Sequence, residues 1–155
     1  MALKPDRREI DSDVSFFMNS VAERGGVVCI STTGSGGAMD NANAVVIYRS
    51  TSSGGVPVGV LMDDVVDVDL SLYHLNRYKD QVQKGGKVKI MTAGVVVTNM
   101  LKSGETPAAG DFAYLAADGR ITKTNTGATD SPAIGKFLAH KDADGYAKIS
   151  FSLLK

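Results

Sequence analysis

A mainly β fold, a small antiparallel β-barrel or sandwich, is predicted by three features of the chain. Short runs of valine and isoleucine recur from end to end, as in "VVCIS", "AVVIYR" and "KVKIM". Glycine supplies 17 of the 155 residues and tryptophan none. Turn signals such as Asp118-Gly119 and Asp144-Gly145 punctuate the C-terminal third. β-Branched residues suit a pleated, half-buried surface, and closely spaced short strands with glycine turns mark antiparallel barrels and sandwiches. At most one short helix is expected.

The first thirteen residues, "MALKPDRREIDSD", are charged and carry Pro5, with Leu3 and Ile10 as apolar points. They cannot bury enough surface to fold alone. Residues 1–13 are therefore expected to form an extended N-terminal arm, and residues 14–155 a single β-rich domain. "VSFFMNSV", from Val14 to Val21, fits a short strand or a helical turn equally well. Strands are expected at Val27–Ser31 and Ala44–Arg49, and again at Val56–Asp63, where Pro57 stands near the start and its missing donor is tolerated. The stretch "DVVDVDLSLYHLNRYKDQVQKGG" has irregular apolar spacing. It reads as a long excursion with one short helix around Leu70, Tyr73, Arg77 and Lys79.

Three hairpins are expected further on. "KVKIM" and "VVVTNML" flank "TAG"; "DFAYLA" and "RITKTN" flank "ADG"; "AIGKFLA" and "YAKISFSLL" flank "HKDADG". Asp-Gly supplies the positive φ values that a tight primed turn demands. The closing strand alternates, with Tyr146, Lys148, Ser150 and Ser152 on one side and Ala147, Ile149, Phe151 and Leu153 on the other. No repeat of 20–50 residues is visible.

The loop "TTGSGG" invites a chemical reading and does not sustain one. A phosphate-binding loop needs a Lys-Ser/Thr pair, and no lysine follows Gly34 in the loop. A dinucleotide fingerprint fails because the third glycine is missing and a β-branched run follows where a helix should open. A nucleophile elbow needs glycine where Thr33 stands. The segment also departs from the serine-protease sequence G-D-S-G-G, and both His74 and His140 follow Ser35 rather than precede it. An exposed loop without chemistry is expected.

Seventeen acidic and seventeen basic residues cancel, which excludes a global field for nucleic acid or membrane. The single Cys29 excludes an intrachain disulfide and leaves a zinc site almost no ligands. No apolar run approaches the roughly 20 residues that cross a bilayer. The N-terminus lacks the apolar segment of a secretory signal, so synthesis in a reducing compartment is expected. Asp63, Asp64, Asp67 and Asp69 lie close together but do not match a calcium-loop spacing; a solvated acidic turn is expected. His74 stands without an activated nucleophile. Arg77, Lys79, Lys84, Lys87 and Lys89 make a modest basic patch, better suited to a surface or subunit contact than to a nucleic-acid groove. No catalytic, metal or cofactor residues are expected, and no cofactor.

From Gly85 to Leu153 the chain resembles the C-terminal portion of tailed-bacteriophage capsid decoration, or cement, proteins. The matching runs are "GGKVKIMTAGVVVTN", "PAAGDFAYLAADGRITKT" and "PAIGKFLAHKDADGYAKISFSLL". The shared grammar is a hairpin with "AG" at its tip, a "G-D-x-x-Y/V" strand, a turn, an "x-I/V-G" strand and a closing "DG" hairpin. The resemblance implies a non-enzymatic protein, made in the host cytoplasm, that binds the major capsid protein on the outside of the head and stabilises the shell against internal pressure. It also implies a homotrimer, and the weakly charged run from Val88 to Asn99 is expected to bury surface between copies. Another virion or tail component is the competing reading, followed by a β-barrel enzyme or ligand carrier. A biotinyl or lipoyl carrier is set aside because "TAG" has no lysine at the expected tip. The arm is the expected attachment device, with Leu3 and Ile10 as apolar anchors, Lys4, Arg7 and Arg8 for acidic rims, and Pro5 disfavouring helix.

Overall fold

The computed structural model describes residues 3–4, 10–31, 45–51, 54–68, 71, 81–125 and 132–152. In chain order the strands are β1 (Leu3–Lys4), β2 (Ile10–Met18), β3 (Val27–Ile30), β4 (Val45–Ile47), β5 (Pro57–Leu61) and β6 (Asp64–Val66). They continue as β7 (Gln81–Gln83), β8 (Lys87–Thr98), β9 (Phe112–Leu115), β10 (Ile121–Thr122), β11 (Ala133–Phe137) and β12 (Ala147–Ser152).

β8 organises the molecule. Its first half closes a five-stranded barrel in the order β8-β2-β4-β3-β5, with β5 returning to β8 through Val60↔Met91 and Leu61↔Ile90. Its second half pairs with β12 from Ala93 to Thr98 and starts a sheet in the order β8-β12-β11-β9-β10. "TAG" is therefore not a hairpin tip. The expected turn is replaced by one 12-residue strand. Gly94, at φ 132°, stands where β8 exchanges β5 for β12, a backbone setting that favours glycine.

The other two expected hairpins are present. β9 and β10 pair through Ile121↔Leu115, around a turn in which Asp118 and Gly119 hold φ 56° and 69°. β11 and β12 pair through Phe137↔Ile149, and Gly145 turns the loop at φ 89°. "VSFFMNSV" resolves as strand, since β2 runs through Met18. The sheets are not wholly antiparallel: β2 runs parallel to β4, and β6 parallel to β7. β6 and β7 fall in the stretch read as a long excursion with one short helix, and most of that expected helix lies outside the described residues.

Two cores follow from this arrangement. Met18, Val28, Val46, Leu61, Val88 and Ile90 belong to one; Cys29, Met91, Leu115, Phe137, Ile149 and Phe151 belong to the other. Successive residues of a strand point to opposite faces, so Val27 and Cys29 serve one core and Val28 the other. β3 is thus buried on both sides over Val27–Cys29, which explains its unbroken apolar run. The run from Val88 to Asn99 is largely consumed internally: Val88, Ile90, Met91 and Val96 are buried within the chain, while Val95 and Val97 are half-buried.

Cys29 is fully buried, and burial pushes its thiol up to about 11, against a smaller opposing effect of Arg49. The folded pKa lies above the unfolded one, so the neutral thiol favours the fold below about pH 8.5, and that contribution is lost as pH rises through about 11. At neutral pH, labelling by a thiol reagent is expected only through unfolding. Labelling of native protein at the rate of a free thiol would contradict this.

Candidate functional site

The expected attachment residues separate into two groups. Leu3 and Lys4 form β1 and pair with Thr98 and Val97 of β8. Ile10 opens β2 opposite Gly94 of the same strand. These three therefore follow one edge of β8, and Ile10–Asp13, read as arm, begin β2. Pro5, Arg7 and Arg8 lie outside the described residues. Five residues link Lys4 to Ile10, whereas β8 advances only from Val97 to Gly94.

The acidic cluster is dispersed by its partners. An Asp63 carboxylate oxygen accepts from the Lys89 backbone N–H at 2.8 Å, and Asp64 accepts from that of Arg24 at 2.9 Å. Asp67 stands 3.5 Å from the Lys84 ammonium. Among the described residues, no three histidine, cysteine or acidic side chains converge as metal ligands. Lys87 lies with its ammonium 5.6 Å from the centre of the Phe17 ring. His140 is exposed in the β11–β12 loop. Asp69, His74, Arg77, Lys79 and the whole "TTGSGG" loop fall outside the described residues.

An open groove of about 680 Å³ runs between the barrel and the 117–120 turn, lined by Val21, Arg24, Tyr48, Asp64, Met100 and Arg120 among others. Three of its polar side chains, Tyr48, Arg24 and Arg120, are engaged within the chain. The Tyr48 hydroxyl donates to the Glu23 carbonyl, and its ring lies against Gly26 and Gly119. Burial pushes this phenol above its ordinary range, and the Glu23 and Asp64 carboxylates act in the same direction. Tyr48 therefore stays protonated and serves as a donor. The Arg24 guanidinium Nε lies 3.5 Å from an Asp64 oxygen, and Arg120 Nη1 donates to the Leu101 carbonyl at 3.1 Å. The Asp118 N–H donates to the Arg49 carbonyl at 2.6 Å, and this bond, with the Tyr48 ring against Gly119, joins barrel to sheet. The arrangement is a structural joint.

A further feature escaped the sequence reading. β9 and β11 each present an exposed residue beside a buried one: Phe112 beside Ala113, and Lys136 beside Phe137. Phe112 and Lys136 are cross-strand partners, with the ammonium 4.8 Å from the ring centre. The signal was the alternation in "DFAYLA" and "AIGKFLA", but strands of four and five residues do not reveal which face is covered.

The family model described as structural cement protein (E217 gp24/Pam3 gp6) matches residues 6–152. A solved chain from "The capsid of Myoviridae Phage XM1" is similar in fold, with a TM-score of 0.60 at 12% identity, over 98% of this chain and 92% of that one. No match emerged among curated proteins. The fold likeness spans both barrel and sheet, and the family match runs through both. The chain belongs to the structural cement protein family of bacteriophages.

Proposed function

We propose that this cement protein sits on the exterior of the phage head, bound to the major capsid protein as a homotrimer, and clamps neighbouring subunits against internal pressure. The observation that carries the reading is the family match across residues 6–152. The groove supports a structural rather than a catalytic reading, because Tyr48, Arg24 and Arg120 are tied to partners within the chain. The balance of 17 acidic and 17 basic residues speaks against direct contact with nucleic acid or membrane. Synthesis in the host cytoplasm follows from a virion role. Copies around a symmetry axis would add avidity to a modest single-site affinity.

The arm is the proposed attachment device. Leu3 and Ile10 supply apolar anchors, Lys4, Arg7 and Arg8 face acidic rims, and Pro5 keeps the chain extended. β1 rests on β8 through only two residue pairs, so little main-chain pairing is lost if the arm is re-laid along a shell subunit. Deleting residues 2–9 spares the whole of β2. The truncated protein is expected to fold, and to bind undecorated shells at least tenfold more weakly in co-sedimentation, or about 1.4 kcal/mol. Undiminished binding would move attachment elsewhere. Light scattering at tens of micromolar, on free and shell-released protein, is expected to give three copies; a monomer in both would refute the trimer.

A further inference from the structure

The outer face of the C-terminal sheet has an unusual composition for this chain. Phe112 is 52% exposed and Leu138, just after β11, 47% exposed. Across the sheet, Phe112 pairs with Lys136, Lys136 with Ser150, and Ser150 with Val95. In the next row Lys148 pairs with Val97. The partly or fully exposed alternate positions of β9, β11, β12 and the second half of β8 contain no aspartate or glutamate. In a chain whose charges balance, a carboxylate-free strip bearing lysines and exposed apolar side chains is a local departure. The strip is also stiff. Its other side is the core built from Ala113, Leu115, Ile134, Phe137, Ile149 and Phe151, and the Lys136 ammonium is held over the Phe112 ring.

We infer that this face docks on an acidic surface of the shell protein, with Phe112 and Leu138 as the apolar anchor and Lys136 meeting a carboxylate. The inference rests on the cement reading and deepens it by naming a contact surface. Charge complementarity selects the partner: strand positions that carry Lys136 and Lys148 but no aspartate or glutamate favour an acidic surface and disfavour a basic one. An exposed aromatic ring held in place by a neighbouring strand is the kind of residue that dominates an interface when water is excluded around it. A nucleic-acid partner fits less well, because tracking phosphates needs a denser basic stripe than two lysines without an arginine. The face adjoins the proposed arm, since Lys4 lies opposite Val97 on the far side of β8 from Lys148.

The test uses the full chain and undecorated shells. Lys136→Glu and Phe112→Ala change exposed side chains, so both variants are expected to melt with the wild type; Lys136→Gln removes the charge with the least steric change. Lys102→Glu, at an exposed position outside these four strands, is the control. Lys136→Glu and Phe112→Ala are each expected to weaken co-sedimentation at least tenfold, Lys136→Gln by less, and Lys102→Glu by under twofold. Raising salt should weaken the wild type more than Lys136→Gln. Wild type that fails to bind shells refutes the cement reading itself. Wild type that binds, with both face variants binding equally well, overturns the face alone. Loss of self-association without loss of shell binding would assign the face to another copy, and Lys136-dependent binding of a single-stranded oligonucleotide would assign it to nucleic acid; either overturns the inference.

Discussion

Phe137→Ala is expected to lower the stability of the folded protein by about 4 kcal/mol, a large share of what holds a small domain together. The side chain is 1% exposed and sits in the core shared by the C-terminal sheet and the outer side of the barrel. Truncation removes the apolar burial and leaves a cavity that stiff strands on both sides fill poorly. The main chain is unaffected: the Phe137 N–H donates to the Asp111 carbonyl and its own carbonyl accepts from Gly110, each at 2.8 Å, and both bonds survive in alanine. The loss is therefore one of packing. Urea unfolding should show a lower midpoint with little change in slope. Phe137→Leu, which keeps most of the volume, should cost less than half as much. A loss under 1 kcal/mol for the alanine variant would mean that the two halves of the molecule do not share this core.

How much of the fold was legible depends on the range of the interaction that decides each element. The hairpins at Asp118-Gly119 and at residues 142–145 were readable because positive-φ turns need particular residues within four positions. The burial of Ala147, Ile149 and Phe151 was readable from alternation along one strand. "TAG" misled for the opposite reason. A glycine between two β-branched runs signals a turn locally, whereas here it marks where one strand changes partners, and β5 and β12 lie far away in sequence. The parallel pairing of β6 with β7 was hidden likewise, since three residues with two valines carry too little pattern and the partner begins fifteen residues later. The expected attachment residues were drawn from composition. Composition indicates that a segment gains little by folding alone; it does not indicate that Leu3 and Lys4 pair with the edge of β8. The exposed pair Phe112 and Lys136 becomes visible only once the register sets one against the other.

Gly135→Ala is expected to destabilise the chain by about 3 kcal/mol or more, although it adds a single methyl group. A Cβ at this position would overlap the Ser150 carbonyl oxygen, and would stand 2.9 Å from the Ser150 carbonyl carbon and 3.2 Å from the Phe151 Cα. All three atoms belong to the backbone of β12, so no side-chain rotation relieves the clash. β11 would have to move away from β12, straining the pairs Gly135↔Phe151 and Lys136↔Ser150. On the other side Gly135 pairs with Ala113 of β9, so a shift of β11 would disturb that pairing too. Gly145→Ala separates this steric effect from a conformational one. Gly145 has φ 89° with nothing within 4 Å of an added Cβ, so its loss should be the smaller cost of an unfavourable φ, about 1 kcal/mol. Thermal or urea unfolding of the two variants side by side should rank Gly135→Ala well below Gly145→Ala. Equal losses would mean that β11 and β12 approach less closely at Gly135 than their pairing requires, and the outer face that they support would be correspondingly less rigid.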